Sequence, residues 1–340
     1  MNDATAALAR TCWVMSDGKA GMEVQGLGLA EALGFDPAVK RIAVRRPWRW
    51  LPPPLVPSPL DRLGPGADAL EAPWPDVLIA CGRQTVALSL AIRRASAERT
   101  FTVQIQNPVV DPARFDAVVT PRHDRLSAPN VIETTGGLNR ITPARLAEAA
   151  ARFAPQFNGL PRPRVAVLLG GDNKVYRMTR EVVARLGRQL AELSRREGAG
   201  LLVTPSRRTS AKAMAILRRT LTGIPAYVWD GRGDNPYLAL LALADALVVT
   251  ADSVNMVSEA ATTGKPVFIV ELKGGSEKFR RFHRALRDGG VTRPFVGHLE
   301  TWSYAPLRDT ERVAAEIRRR LAERAAGPGA PRSHALSGVG

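Results

Sequence analysis

The sequence alternates short apolar runs with longer amphipathic segments along nearly its whole length. Strand-length runs such as "TCWVM", "RVAVLL" and "PVFIV" are separated by segments of helical periodicity, many of which end in glycine. This alternation is typical of βαβ units, in which helices connect parallel strands and cover the sheet. Because such sheets are buried on both faces, the pattern predicts an α/β fold with doubly wound, Rossmann-like sheets.

The series of alternating elements occurs twice. We predict an amino-terminal α/β domain over 1–153 and a carboxyl-terminal α/β domain over 165–325, joined by a proline-containing linker at 154–164. Two such sheets are expected to face each other across a cleft, with ligand at the carboxyl ends of the strands. The segment 326–340 has few core-forming residues and is predicted to be a disordered tail.

One segment of the first domain does not follow this alternation of strands and helices. Residues 46–75 contain nine prolines and three tryptophans, a composition that excludes a regular helix or a central strand. Two interpretations remain open. The segment is an ordered surface insertion whose tryptophans pack on the domain, or it is an arginine-flanked apolar loop that touches an anionic membrane surface or a protein partner.

Composition narrows the functional classes. The net charge is +16, mostly from arginine, and reflects either a coding bias or a surface for anionic partners. Neither zinc-finger spacing nor an aromatic RNA-binding signature is present, so nucleic acid is not expected as a partner. No apolar run approaches the roughly 18 residues of a membrane span and no targeting segment is recognisable, which favours a cytoplasmic protein. Cys12 and Cys81 lie in apolar runs and are predicted to be buried.

The stretch "TADSVNMVSEAATTGKPVFIVEL" (250–272) predicts strand, short helix and strand. Asp252 or Ser253 supplies the helix cap, and the apolar side chains face the sheet at helical spacing. A glutamate in this position can accept hydrogen bonds from two vicinal hydroxyls while the helix N-terminus faces a phosphate, although simple solvent exposure explains the polar face equally well. The side chains predicted on this outward face are Asn255, Ser258, Glu259 and Thr262.

Three further loops of the second domain follow predicted strands. Glycines in "LLGGDNK" let backbone N–H groups approach an anion, and arginines in "TPSRRTS" suit a diphosphate. A plain turn or a solvated arginine pair accounts for the same residues. The predicted nucleotide- and phosphate-binding residues in these loops are Gly170, Gly171, Lys174, Ser206, Arg207, Arg208 and Asn235.

The first domain offers three polar loops that we predict on the acceptor side of the cleft, again just after strands. Inverting transfer needs a general base to deprotonate the attacking hydroxyl, and Asp17 is the nominee with His123 as its competitor. The other acceptor-side residues are Lys19, Gly82, Arg83, Gln84, Gln106 and Asn107.

Several motifs are absent from the sequence. No D-x-D pair is present to hold a metal–nucleotide complex, so neither a metal site nor another cofactor is expected. The chain also lacks a Rossmann G-x-x-G-x-x-G, a Tyr-x-x-x-Lys pair and a P-loop, which disfavours Rossmann-class epimerases and NTPases.

The segment "ADALVVTADSVNMVSEAATTGKPVFIVEL" resembles the nucleotide-sugar-binding segment of glycosyltransferases of the B fold. That resemblance implies that Glu259 binds ribose hydroxyls, that the preceding small and polar residues approach the nucleotide, and that a nucleotide-diphosphate sugar is the ligand. One implied activity is metal-independent transfer of the sugar to an envelope or lipid-linked acceptor.

Over about residues 11–300 the chain resembles the mitochondrial-fission "elongated mitochondria" family, a domain of unknown function in proteobacteria and plants. Blocks in the same order include "SDGKAGMEVQGLGLAEALG", "CGRQTVALSLAIRR", "QIQNPVVDPARFDAVVTPRHD" and "LLGGDNKVYRMT". Because the plant member is regarded as an adaptor that recruits a dynamin-related protein, the resemblance leaves a second expectation. The chain then acts without catalysis, as a peripheral membrane adaptor at the inner face of a membrane that recruits a fission or envelope partner.

Overall fold

The computed structural model describes residues 11–326, which form α/β units with strands and helices in alternation. The strands are β1 (Cys12–Ser16), β2 (Ala38–Arg41), β3 (Val77–Cys81), β4 (Phe101–Ile105), β5 (Ala117–Pro121), β6 (Val131–Thr134), β7 (Arg164–Leu169), β8 (Tyr176–Arg177), β9 (Gly200–Pro205), β10 (Ala226–Val228), β11 (Ala246–Thr250), β12 (Val267–Val270), β13 (Lys273–Gly274) and β14 (Thr292–Pro294). The helices are α1 (Ala20–Leu33), α2 (Val86–Ala95), α3 (Pro143–Phe157), α4 (Arg180–Glu197), α5 (Ala211–Thr220), α6 (Tyr237–Leu243), α7 (Val254–Thr262), α8 (Glu277–Asp288) and α9 (Asp309–Ala326).

The first unit is built on a six-stranded sheet of order β2-β1-β3-β4-β5-β6. The pairs β1–β2, β1–β3, β3–β4 and β4–β5 are parallel, as the βαβ pattern predicts. β3, "VLIAC", is buried at every position, which agrees with a strand covered on both faces. Cys12 and Cys81 are buried as predicted, and desolvation raises the pKa of the Cys12 thiol to about 12.

The second unit holds a six-stranded parallel sheet of order β10-β9-β7-β11-β12-β14. Alternate residues of β7 enter two different apolar clusters. Ala166 and Leu168 pack with α3, α6 and α7, whereas Val165 and Val167 pack with α4 and α5. Because successive strand side chains point to opposite faces, helices cover both sides of the sheet, and the doubly wound fold is confirmed.

The unit boundary differs from the predicted one. Of the described residues, 11–120, 127–132 and 310–326 group in the first unit, and 121–126 and 133–309 group in the second. Helix α3, predicted in the first domain, packs in the second because Phe153 and Phe157 join the apolar cluster of α6 and α7. The ring of Phe157 lies 4.9 Å from that of Tyr227.

Helix α9, predicted as part of the second domain, packs in the first instead. Its arginines bond to that unit: Arg320 donates to the carbonyl of Asn130 at 2.9 Å, and Arg324 bonds to the carboxylate of Asp116 at 3.0 Å. Residues 327–340 of the predicted disordered tail lie outside the described residues.

The predicted linker is ordered within the second unit. Helix α3 continues past Pro155, which lies in its last turn, to Phe157. The buried side chain of Arg164 then donates to the carbonyls of Phe157 at 2.9 Å and Leu160 at 3.3 Å. The Phe157 carbonyl is the last of α3, and the Leu160 carbonyl lies in the turn that follows. Arg164 therefore caps α3 and holds the turn that leads into β7.

The proline-rich insertion contains neither a regular helix nor a central strand, as predicted. It forms three short 3-10 turns at Trp48–Trp50, Pro53–Leu55 and Pro59–Arg62. None of the helices in the described part of the chain is both long and apolar enough to span a membrane.

Candidate functional site

The loops after β7, β9 and β11 meet at the carboxyl edge of the second sheet, around the buried side chain of Asp252. Its carboxylate accepts hydrogen bonds from the N–H of Gly171 at 3.0 Å and the hydroxyl of Thr250 at 2.7 Å. It also forms an ion pair with Arg208 at 2.7 Å. The side chain of Asn173 donates to the Asp252 carbonyl at 3.2 Å. Asp252 therefore joins three loops into one network.

This network changes the interpretation of the two glycines. The N–H of Gly170 donates to the Thr250 hydroxyl at 2.8 Å, and that of Gly171 donates to Asp252. A Cβ on Gly170 would lie 2.2 Å from the Asp252 carboxylate, and one on Gly171 would lie 2.1 Å from the Arg208 carbonyl. The prediction that these N–H groups bind a phosphate is wrong, because both bond within the protein and the glycines are required for close packing.

The two arginines after β9 have different surroundings. Arg208 is tied to Asp252, and its Nη1 also donates to the Gly171 carbonyl at 3.2 Å. The Ser206 hydroxyl donates to the Gly170 carbonyl at 2.9 Å and accepts from the Arg208 N–H at 3.2 Å. Ser206 and Arg208 thus shape the loop, and Arg207 is exposed at the same sheet edge.

Helix α7 begins as predicted, with Ser253 as its cap, whose hydroxyl accepts from the N–H of Met256 at 3.4 Å. The predicted outward polar face is wrong for Ser258 and Thr262, which are 1% and 6% exposed. Ser258 accepts from the N–H of Gly137 at 2.8 Å, and Thr262 accepts from the amide of Asn139 at 3.1 Å. These hydroxyls face protein because the loop after β6 lies along that side of the helix.

Glu259 lies on α7, half-buried beneath the first turn of α6. The hydroxyl of Tyr237 donates to its carboxylate at 2.5 Å. Burial raises the pKa of the Glu259 carboxyl to about 7, and the Tyr237 hydrogen bond opposes that rise. Burial and the neighbouring Glu259 together raise the pKa of Tyr237 well above its usual value. The sequence placed Glu259 in the site but gave no sign of this buried pair.

The remaining predicted ligand residues of the second unit border the same edge. Lys174 is exposed in the loop after β7, and Asn255 is half-buried in the first turn of α7. Asn235 is exposed, and its side-chain carbonyl accepts from the N–H of Tyr237 at 3.0 Å. Asn235 therefore orders the start of α6, the helix that carries the partner of Glu259.

In the first unit, the loops after β1 and β3 bring Asp17, Lys19 and Gln84 together. The ammonium of Lys19 and the side-chain amide of Gln84, the latter at 3.2 Å, both donate to Oδ2 of Asp17. The other oxygen, Oδ1, accepts only a long bond of 3.4 Å from the Lys19 N–H among the contacts in the described chain. The Asp17 side chain is 9% exposed, so its carboxylate is held in a fixed orientation.

The other acceptor-side residues make mainly structural contacts. Gly82 has a φ of 98°, in the region that favours glycine. The amide of Gln106 donates to the sulfur of Met22 at 3.0 Å, and Asn107 accepts from the N–H of Val109 at 2.8 Å. The guanidinium of Arg83 likewise donates to the carbonyls of Trp50 and Leu51 in the proline-rich insertion.

His123 is buried in the segment 121–126, which belongs to the second unit. Its ring packs edge-on against Phe282 at 5.4 Å, and its carbonyl accepts from Arg281 of α8 at 3.1 Å. Burial lowers the pKa of His123 to about 4, despite the opposing effect of Asp124. At neutral pH this imidazole is a buried neutral packing group and a weak base, which argues against the competitor role.

Sequence reasoning missed three contributors to the site. Asp252 was considered only as a helix cap, and the roles of Thr250 and Tyr237 were not anticipated. The pattern T-x-D at the end of a buried strand could have indicated Thr250 and Asp252, since a buried carboxylate needs donors close by. Within residues 11–326, no cluster of His, Cys, Asp or Glu side chains is arranged to hold a metal ion.

Comparison with solved structures identifies the class of fold. UDP-GlcNAc 2-epimerase from Methanocaldococcus jannaschii matches with a TM-score of 0.52 and 12% identity over 90% of this chain and 99% of that one. Os79 from O. sativa in complex with UDP matches with a TM-score of 0.50 and 12% identity over 92% of this chain and 93% of that one. The protein therefore has two parallel-sheet α/β domains of the glycosyltransferase-B-like class.

Sequence comparison identifies the family. The family model described as "Mitochondrial fission ELM1" matches residues 20–321, so the chain belongs to this family. The mitochondrial fission protein ELM1 of Arabidopsis thaliana is 38% identical over 281 residues, which cover 75% of this chain. The match spans 66% of the plant protein's own length.

Proposed function

We propose that the second unit binds a nucleoside-diphosphate sugar at the carboxyl edge of its sheet, and that the protein transfers the sugar without a metal ion. The observation that carries this proposal is the half-buried carboxyl of Glu259 with a pKa of about 7, hydrogen-bonded to Tyr237. Strongly perturbed carboxyls at the carboxyl ends of parallel strands are candidates for ligand-binding groups. Proteins of the same fold are named for UDP-GlcNAc or were solved with UDP, which supports a nucleotide ligand.

In this proposal Glu259 receives the two ribose hydroxyls. The Tyr237 hydroxyl occupies one carboxylate oxygen and fixes the carboxylate in place. A carboxylate has about four lone-pair positions, so acceptor capacity remains for vicinal hydroxyls. Binding in this form requires the ionised carboxylate.

The diphosphate lies at the start of α7 and beside Arg207. The N-terminus of a helix carries a partial positive charge, and an exposed guanidinium offers paired donors to phosphate oxygens. Because Arg208 and the amides of Gly170 and Gly171 bond within the protein, Arg207 takes the main role in stabilising the leaving group.

Transfer also requires a base for the acceptor hydroxyl. As the bond from the anomeric carbon to the diphosphate oxygen breaks, a bond to the acceptor oxygen forms, and the hydroxyl proton passes to the base. Asp17 remains the candidate, since Lys19 and Gln84 orient its carboxylate and leave Oδ1 weakly bonded.

Titration calorimetry with uridine, guanosine and cytidine diphosphates, in buffer with a chelator, tests the binding step. We expect one of them to bind, and Glu259→Ala to weaken binding roughly 10- to 100-fold, as for loss of hydrogen bonds to a charged group. The matched control is Glu192→Gln, an exposed carboxyl on α4 that leaves affinity unchanged. Absence of binding to all three ligands, or equal affinity of Glu259→Ala and wild type, refutes the proposed site.

The transfer step is tested separately with Asp17→Asn and the sugar donor whose nucleotide binds. We expect this variant to bind the nucleoside diphosphate as wild type does but to lose enzymatic release of nucleoside diphosphate from the sugar donor. If the wild type binds the nucleoside diphosphate but does not release it from the sugar donor, the result favours a non-catalytic adaptor instead. The exposed apolar side chains of the insertion support this alternative.

A further inference from the structure

Part of the proline-rich insertion, together with Arg45 just before it, exposes apolar and basic side chains on the first unit. We call Arg45, Arg46, Arg49, Trp50 and Leu55 the insertion surface. Trp50 is 61% exposed and Leu55 is 63% exposed. Among the described residues, only two other large apolar side chains belong to this exposed group. Two large exposed apolar side chains five positions apart in the sequence, flanked by arginines, are typical of a surface that contacts an apolar partner.

The backbone beneath these side chains is anchored. The guanidinium of Arg83 donates to the carbonyl of Trp50 at 3.3 Å and to that of Leu51 at 3.2 Å. The guanidinium of Arg46 lies 5.4 Å from the centre of the Trp50 ring. The indole is thus presented on a fixed turn with a cation on its face, which favours binding without a large ordering cost.

The charge of the segment is of one sign. The sequence has no Asp or Glu between Asp36 and Asp61. Arg41 is neutralised by Glu23 through two hydrogen bonds of 2.8 and 2.9 Å. The three arginines of the insertion surface are all exposed, and none is ion-paired with an acid in residues 11–326. Their charge is therefore available to an anionic partner.

A cavity of about 350 Å³ lies next to the same segment and repeats this combination. Its lining includes Pro53, Pro59 and Leu90, together with the exposed residues Arg94 and Arg114. The lining thus contains apolar and cationic residues next to the insertion surface.

We propose that the insertion surface docks the protein onto an anionic lipid bilayer. Trp50 and Leu55 enter the headgroup region, where an indole places its apolar body in lipid and its polar edge in water. Arg45, Arg46 and Arg49 lie at the level of the lipid phosphates. A bilayer offers anionic headgroups to the arginines and an apolar layer to Trp50 and the aliphatic Leu55, whereas a nucleic-acid backbone offers only the anionic part.

Co-sedimentation with vesicles of phosphatidylcholine, with and without phosphatidylglycerol, tests the proposal on the full chain. We expect wild type to bind the anionic vesicles, and added salt to weaken binding. Replacing Arg45, Arg46 and Arg49 with Gln is expected to lower the partition coefficient roughly 100-fold, at about fivefold per arginine. The double variant Trp50→Ser and Leu55→Ser is expected to lower it roughly tenfold or more.

Matched substitutions elsewhere distinguish this surface from the general positive charge of the protein. Replacing the exposed Arg195, Arg218 and Arg219 with Gln removes the same charge from helices of the second unit, and Val296→Ser removes an apolar side chain that is 55% exposed. These controls are expected to bind as wild type does, and circular dichroism is used to check that each variant is folded. No binding by wild type, or equal losses in the control and insertion variants, overturns the proposal.

Discussion

The carboxyl of Glu259 predicts an unusual pH dependence of stability. Its pKa is raised from 4.5 to about 7 in the folded protein, mainly by burial. Between these values the folded state binds more protons than the unfolded state, so the free energy of unfolding falls as pH rises. The loss begins near the unfolded pKa and is complete above about pH 7. At 1.36 kcal/mol per pKa unit it amounts to roughly 3 kcal/mol.

Glu259→Gln isolates this contribution, because glutamine resembles the protonated acid and does not titrate. The variant and wild type are expected to have similar free energies of unfolding near pH 5. Above pH 7 the variant is expected to be more stable, by up to roughly 3 kcal/mol. Urea denaturation from pH 5 to pH 8, followed by fluorescence and circular dichroism, gives the difference curve.

Glu192→Gln provides the control, since its exposed carboxyl should give a flat difference curve. A flat curve for Glu259→Gln, or greater stability of wild type at pH 8, would show that the carboxyl is not desolvated as described. The same group links stability to function. If the ionised carboxylate binds ribose, nucleotide affinity should decrease as pH falls below 7 while the protein itself becomes more stable.

Two further substitutions probe the same sheet edge. Tyr237→Phe removes the hydroxyl that donates to the Glu259 carboxylate, so the pKa of Glu259 and the midpoint of its pH-dependent stability curve should both move upward. An unchanged midpoint contradicts the pairing. Arg208→Met leaves the buried Asp252 without its cation and should cost about 3 kcal/mol of unfolding free energy. Arg207→Met, at an exposed neighbour, should cost less than about 0.5 kcal/mol, and equal losses in urea denaturation would exclude the proposed network.

The fold could be predicted from the sequence because hydrophobic periodicity is a local signal. The central strands β7, β11 and β12 of the second sheet are short apolar runs, and packing on both faces follows from that composition. The assignment of helices to units could not be predicted in the same way. The sequence shows that α3 carries Phe153 and Phe157, but it does not show which sheet these side chains pack against. In the folded protein they join the apolar cluster of the second unit.

The candidate site was predicted in position but not in detail. Parallel strands place their following loops at one edge, which is why Glu259 and the loops containing Gly170 and Arg208 were expected there. Which groups face a ligand depends on contacts between residues far apart in sequence. Gly171 bonds to Asp252, and Ser258 bonds to Gly137, so groups that read as ligand contacts are used to hold loops together.

The position of α9 has a consequence for the order of folding. The first unit includes residues 310–326, so it consists of segments from both ends of the described chain. Arg318, Arg320 and Arg324 donate to carbonyls of this unit that are made early in synthesis. During translation the second unit, contained in 121–309 apart from 127–132, can fold while α9 is still in the ribosome. Helix α9 can therefore pack on the amino-terminal sheet only after the whole second unit has been synthesised.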